Sequence, residues 1–270
     1  PAAKMWTKEY LIEKYGDIYT QIGTSQGIIR NHGTGNKFVK FGDYVKRVWG
    51  SRECKDDLRW CGEENNQSKY GEEKYLFDRD NFMKQATKLG IHREMIYPSF
   101  FKTSEIASKE YTTSYVKEVR KKFPWAPILG GPTMTSKQLK TATPYMFLTP
   151  KYDRLVGVAM HQHTDGWNAQ VKGNGSKLWI MYPPQVRPGP EHPIKSKWCC
   201  GEDSWFQKYI PDLLADKSHG PGSLKPLFCV QQTGDVLYVP EWWHHGTLSG
   251  PGPTGKSGIV GVANQLTQPS

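Results

Sequence analysis

The stretch Met160-His161-Gln162-His163-Thr164-Asp165-Gly166-Trp167-Asn168-Ala169-Gln170-Val171-Lys172-Gly173, continuing as Asn174-Gly175-Ser176-Lys177-Leu178-Trp179-Ile180-Met181-Tyr182-Pro183-Pro184, decides the reading of this chain. His161, His163 and Asp165 stand two residues apart. In an extended strand alternate side chains share a face, so all three can point the same way. Far downstream lies Gly234-Asp235-Val236-Leu237-Tyr238-Val239-Pro240-Glu241-Trp242-Trp243-His244-His245, a β-type run that ends in histidine. Two closely spaced ligands on one strand and a third from a distant strand build a metal site with open positions.

Around this stretch the pattern is β. Tyr145 to Leu148, Val156 to Gln162, Trp167 to Lys172 and Leu178 to Tyr182 read as short strands separated by turn residues. Leu227 to Gln231, Val236 to Val239 and Ile259 to Ala263 complete the set, with one helix-like interruption at Glu202 to Tyr209. Short strands at this spacing predict a closed or double-sheet β-barrel.

Upstream the signals are mixed. Thr7 caps a short helix over Lys8 to Tyr15, with Gly16 as its stop. Asp17 to Ile22, Phe38 to Phe41 and Tyr75 to Phe77 read as strands. Asp43 is an N-cap for a helix through Trp49, and Asn81 to Leu89 is a second helix closed by Gly90. Ser51 to Glu73 is polar and reads as an exposed insertion. No composition shift marks a boundary between two domains.

The chain has 270 residues, with 10 Trp, 14 Tyr and 10 Phe, enough for a substantial core. Its net charge of +10 fits a solvated basic surface or an acidic partner. The cations are scattered apart from Lys117 to Lys122. With no aromatic-studded basic stripe, nucleic acid is a weak candidate. No apolar run of about eighteen residues is present, so no membrane-spanning helix is expected. The five cysteines (Cys54, Cys61, Cys199, Cys200, Cys229) include no Cys-x-x-Cys pair, which argues against structural zinc. Cys54 and Cys61 flank a polar loop and could form a local disulfide. Asn66-Gln67-Ser68 and Asn174-Gly175-Ser176 fit the glycosylation acceptor pattern. Together these features tilt the expected compartment toward the secretory pathway. The start at Pro1 leaves room for a removed leader.

The segments His161 to Pro184 and Gly234 to His244 resemble the JmjC branch of the cupin superfamily. The likeness rests on the closely spaced ligand pair, Trp167-Asn168, Lys177-Leu178-Trp179 and Tyr182-Pro183-Pro184. It also rests on Gly-Asp-Val-Leu-Tyr-Val-Pro ahead of Trp242-Trp243-His244. It is strongest over 145 to 265 and implies one JmjC-like domain over 1–270. Within it, 1–144 is a helical and mixed lead-in and 145–270 is the barrel core. The implied fold is mainly β, a double-stranded β-helix (jelly-roll or cupin barrel) with N-terminal and inserted helices.

The implied activity is that of an iron(II)- and 2-oxoglutarate-dependent dioxygenase that hydroxylates a protein or peptide side chain. Iron needs three open positions for this, two for the 2-oxo acid and one for oxygen. The resemblance carries Lys177 over as the cation for the distal carboxylate of 2-oxoglutarate, and Asn168 and Asn264 as polar pocket groups.

At the ligand pair the sequence departs from the family's usual His-x-Asp, and two registers are open. Met160 before His161 and the distance to Gly173 favour His161, His163 and His244. The charge of iron(II) favours a carboxylate, with Asp165 in place of His161. The first register is similar to a luminal endoplasmic-reticulum subgroup of the family. His245 follows His244 on a strand and faces the other way, so it reads as structural. Trp242 and Trp243 read as barrel packing. Two alternatives stand beside the oxygenase. One is a non-catalytic JmjC-like binding or scaffold module with a degenerate metal site. The other is a cupin enzyme that uses a different metal without the 2-oxo acid.

Overall fold

In a computed structural model the protein is described at residues 2–23, 37–48, 75–78, 80–95, 145–149, 156–163, 166–182, 211, 226–240, 242–250 and 258–265. Five helices are seen there: α1 (Ala2–Met5), α2 (Lys8–Tyr15), α3 (Phe41–Val48), α4 (Phe82–Lys88) and α5 (Ile91–Glu94). Eleven strands accompany them. β1 (Tyr19–Gly23), β2 (Lys37–Lys40), β3 (Tyr75–Asp78) and β4 (Tyr145–Thr149) come first. β5 (Val156–His161), β6 (Gly166–Gly173), β7 (Ser176–Tyr182) and β8 (Leu227–Gln231) follow, then β9 (Val236–Val239), β10 (His244–Gly250) and β11 (Ile259–Gln265).

The strands form two antiparallel sheets, a seven-stranded one in the order β2-β1-β3-β4-β11-β6-β9 and a four-stranded one in the order β5-β10-β7-β8. Facing each other, they make the double-stranded β-helix that the sequence led us to expect. The expected helix at Glu202 to Tyr209 and the Cys54–Cys61 pair lie outside the described residues; Cys229 is a free thiol.

The large sheet separates two interiors. On its outer face Met146, Leu148, Val260, Val262, Trp167, Leu76 and Ile22 pack against helix residues Leu11, Tyr15, Tyr44, Phe82 and Ile91. On its inner face Phe147 and Ile259 meet Phe77, Ala263 and, from the small sheet, Val158. With both faces covered, β4 is buried at every position, and its Tyr-Met-Phe-Leu-Thr sequence shows no polar alternation.

Local chemistry sets the lead-in elements. The Thr7 hydroxyl accepts from the Tyr10 amide at 3.2 Å, the cap expected for α2. Gly16 ends α2 in right-handed geometry, with φ −59°. A Cβ here would stand 2.2 Å from the Ile12 carbonyl oxygen, and the Gly16 carbonyl accepts from the Gly42 amide at 2.9 Å where α2 and α3 meet. Helix α3 starts two residues ahead of Asp43, at Phe41, so Asp43 lies in its first turn.

Glu94 ties the first helices to α5. The Trp6 indole donates to it at 2.8 Å and the Tyr15 hydroxyl at 2.7 Å, and Tyr10 and Lys14 also donate to it. Burial raises the carboxyl's pKa, but the hydrogen bonds from Lys14, Tyr10, Tyr15 and Trp6 outweigh it and hold the pKa below its ordinary 4.5. A depressed folded-state pKa gives stability that is present above the unfolded value and lost as the pH falls through the folded one. Replacing Glu94 by Ala leaves the indole N–H and buried hydroxyl without an acceptor, and is expected to cost about 2–4 kcal/mol at neutral pH. Urea unfolding of the variant and the wild type checks this. The gap should narrow in acid, and equal midpoints at neutral pH would contradict the account.

Candidate metal centre

Strand β10 lies between β5 and β7. It pairs His245 with His161 of β5, and His245, Thr247 and Ser249 with Met181, Trp179 and Lys177 of β7. Between His245 and Thr247 the β5 pairing slips, from His161 to Val158. One residue on β10, Gly246, thus faces two on β5, Ala159 and Met160, which is a β-bulge. The bulge sets the direction of His161. In an unbroken strand Val158 and Met160 would share a face and His161 would take the other. The extra residue reverses the alternation and puts His161 on the inner face with Val158.

His161, His163 and His245 converge there, with potential ligand atoms all within 4.8 Å of one another. Ring centroids are 4.2 Å apart for His161 and His245, 4.6 Å for His163 and His245, and 5.4 Å for His161 and His163.

The Nδ1 of His161 lies 2.7 Å from the Ala159 carbonyl and that of His245 lies 2.9 Å from the Trp243 carbonyl. A carbonyl only accepts, so each Nδ1 carries the proton and each Nε2 offers a lone pair, the arrangement of a metal-binding histidine. Burial lowers the pKa of His161 to about 4, and the neighbouring His163 adds to the effect. Burial, with His161 and His163, pushes His245 well below the usual range. Neutral rings meet without repulsion and are the form that binds a metal.

The structure thus brings His245, rather than the expected His244, together with His161 and His163. His244 pairs with Tyr182 and takes the opposite face of β10. Its Nε2 lies 2.9 Å from the Gln162 side-chain amide, whose nitrogen donates to it. Asp165, the alternative acid, lies outside the described residues. Trp243 is buried, as expected of packing, but Trp242 is 52% exposed with φ +60°. Its amide donates to the His163 carbonyl at 2.9 Å, and its carbonyl accepts from Gln162 at 2.8 Å. The segment ahead of β10 is thus fastened to the His161–His163 segment.

Lys177 shares the inner alternation of His245 and Trp179. It is 3% exposed, and its ammonium lies 3.8 Å from the Phe147 ring centroid and 5.6 Å from that of Trp179. Among the described residues it has no anionic partner, and burial alone lowers its pKa to about 7. The Trp179 ring lies 5.9 Å from His245 and is held by its N–H to Gln231 Oε1 at 2.9 Å. Gln231 also bridges the sheets, donating to the Asn168 carbonyl at 2.8 Å. Among the described residues Asn168 Oδ1 is buried without a partner on the inner face. Asn264 is buried too, but it pairs with Trp167 on the alternation of Val260 and Val262, so the structure does not bring it together with Asn168.

A cluster of three imidazoles inside a double-stranded β-helix is a candidate metal centre of the cupin type. No family model matches the chain. Over 93 residues (34% of the chain) it is 34% identical to JmjC domain-containing protein 8 of Homo sapiens, covering 30% of that protein. Over 256 residues (90% of the chain) it is 26% identical to Lysine-specific demethylase JMJ21 of Arabidopsis thaliana, covering 20% of it. Over 82 residues (29% of the chain) it is 33% identical to 2-oxoglutarate and iron-dependent oxygenase JMJD4 of Gallus gallus, covering 17% of it. The matches thus span less than a third of each relative's length. In its fold and over these stretches the chain is similar to JmjC-domain proteins.

The ligand assignment separates two adjacent histidines. Titration with manganese(II) should show His245→Ala weakened by more than about a hundredfold, with His244→Ala still binding. The reverse order would contradict the assignment.

Proposed function

We propose that this chain is an iron(II)- and 2-oxoglutarate-dependent oxygenase that hydroxylates a protein side chain. The observation that carries the reading is Lys177. A buried ammonium with no carboxylate beside it among the described residues is costly, and an incoming anion offsets that cost. It stands on the same inner face as the three histidines, two alternate positions along β7 from Met181, the partner of His245.

The donor set fits the cofactors. His161, His163 and His245 would hold the metal from one side and leave the opposite side open. Lys177 would take the distal carboxylate of the five-carbon 2-oxo acid. Trp179 and Phe147 would wall the space and exclude water, and Asn168 Oδ1 offers an acceptor on the same face. Iron(II), when bound, supplies oxygen activation coupled to decarboxylation of the 2-oxo acid. The names of the relatives support the reading, one by its cofactors and another by action on lysine. No helix among the described residues is long and apolar enough to cross a membrane.

One observation favours the second reading, a non-catalytic scaffold: the cluster is all histidine, with no carboxylate among its described members. Three neutral ligands leave the full charge on a divalent ion. The readings part on turnover. The iron(II)-loaded protein should convert 2-oxoglutarate to succinate in air, and Lys177→Ala should lower that rate by at least about tenfold. Metal-loaded protein that neither binds nor consumes 2-oxoglutarate would establish the scaffold instead.

A further inference from the structure

Lys177 rests on a surface that the fold builds with some care. Phe147 of β4 is fully buried and pairs across the ladder with Gly261 of β11. A Cβ at position 261 would stand 2.0 Å from Phe147 Cζ and 2.5 Å from the Ala169 carbonyl oxygen. Only glycine therefore lets the ring lie over the neighbouring strand. The ammonium of Lys177, reaching across from the other sheet, lies 3.8 Å from the centre of that ring. We propose that Phe147, seated on Gly261, is the positioning residue that holds the Lys177 ammonium inside the barrel for an incoming carboxylate. The inference rests on the 2-oxoglutarate reading of the pocket.

The physical argument is electrostatic. An aromatic face is negative, and a desolvated cation over it is stabilised far more than in water. Among the described residues the surroundings offer Lys177 no other charge. Its own strand brings Trp179, β10 brings Ser249, and β8 brings Gln231 and, at the next alternate position, Cys229, whose thiol burial pushes up. The alternate position on β4 is Tyr145, stacked on Phe77. None of these is a carboxylate. The ring thus opposes the burial that lowers the lysine's pKa to about 7. Without it the amine loses its proton at a lower pH, and a neutral amine is a poor partner for a carboxylate.

The test is calorimetric titration of 2-oxoglutarate into the manganese(II)-loaded full chain from about pH 6 to about pH 9. The variants are Phe147→Leu, Lys177→Ala, and a protein with pentafluorophenylalanine at position 147, which keeps the ring's shape and reverses its quadrupole. Phe147→Leu and the fluorinated protein should bind about tenfold more weakly near neutral pH. Their alkaline limb should move to lower pH, the deficit should shrink toward about pH 6, and manganese affinity should not change. Gly261→Ala should reproduce the loss by displacing the ring. A fluorinated protein with wild-type affinity and pH profile, or a deficit equal at every pH, would overturn the positioning role. If wild type binds and Lys177→Ala does not while both ring variants match wild type, the positioning role falls and the pocket reading stands. If wild type itself fails to bind, both fall.

Discussion

The site depends on one strand lying between two others. β10 donates and accepts along β5 on one edge and β7 on the other, and those ladders bring His161, His245 and Lys177 to one inner face. None of the three is near another in the chain except through this pairing. The bulge in β5 adds the second condition, because it alone turns His161 inward. The site is thus a product of register, and a slip of one residue on either edge would disperse it.

Within that frame, burial does the chemical work. Taken from water, His161 and His245 give up their charge, and the carbonyls two residues upstream fix which nitrogen keeps the proton. Lys177 meets the same desolvation with a different outcome, because the faces of Phe147 and Trp179 receive its ammonium. One inner face therefore carries the three imidazoles at one end and a buried ammonium at the other. Helices cover the far side of the large sheet.

The sequence was legible where the signals are local. Thr7 before Lys8 to Tyr15 is a cap whose partner is three residues away, and the structure has it. The strands over Leu227 to Gln231 and Val236 to Val239 appear with their expected bounds. β10 itself was not legible as a strand: His-His-Gly-Thr-Leu-Ser-Gly has two glycines and no apolar alternation, and every position is buried. With that strand unread, nothing distinguished His244 from His245. The bulge was equally hidden, since Val-Gly-Val-Ala-Met-His alternates cleanly without it. Gly16 carried a stop signal, but its carbonyl also accepts from Gly42, a contact between helices that local pattern does not encode. Lys177 was legible only by family likeness; its burial and its ring partner come from the facing sheet.

The central claim is that one ion is held by His161, His163 and His245 together. X-ray absorption at the iron edge of the iron(II)-loaded protein tests it most directly, because imidazole scattering counts the rings on the metal. Three imidazoles in the wild type, two or a lost ion in His245→Ala, and an unchanged spectrum in His244→Ala are the predicted results. A wild-type spectrum with no more than one imidazole, or one that His245→Ala leaves intact, would contradict the claim.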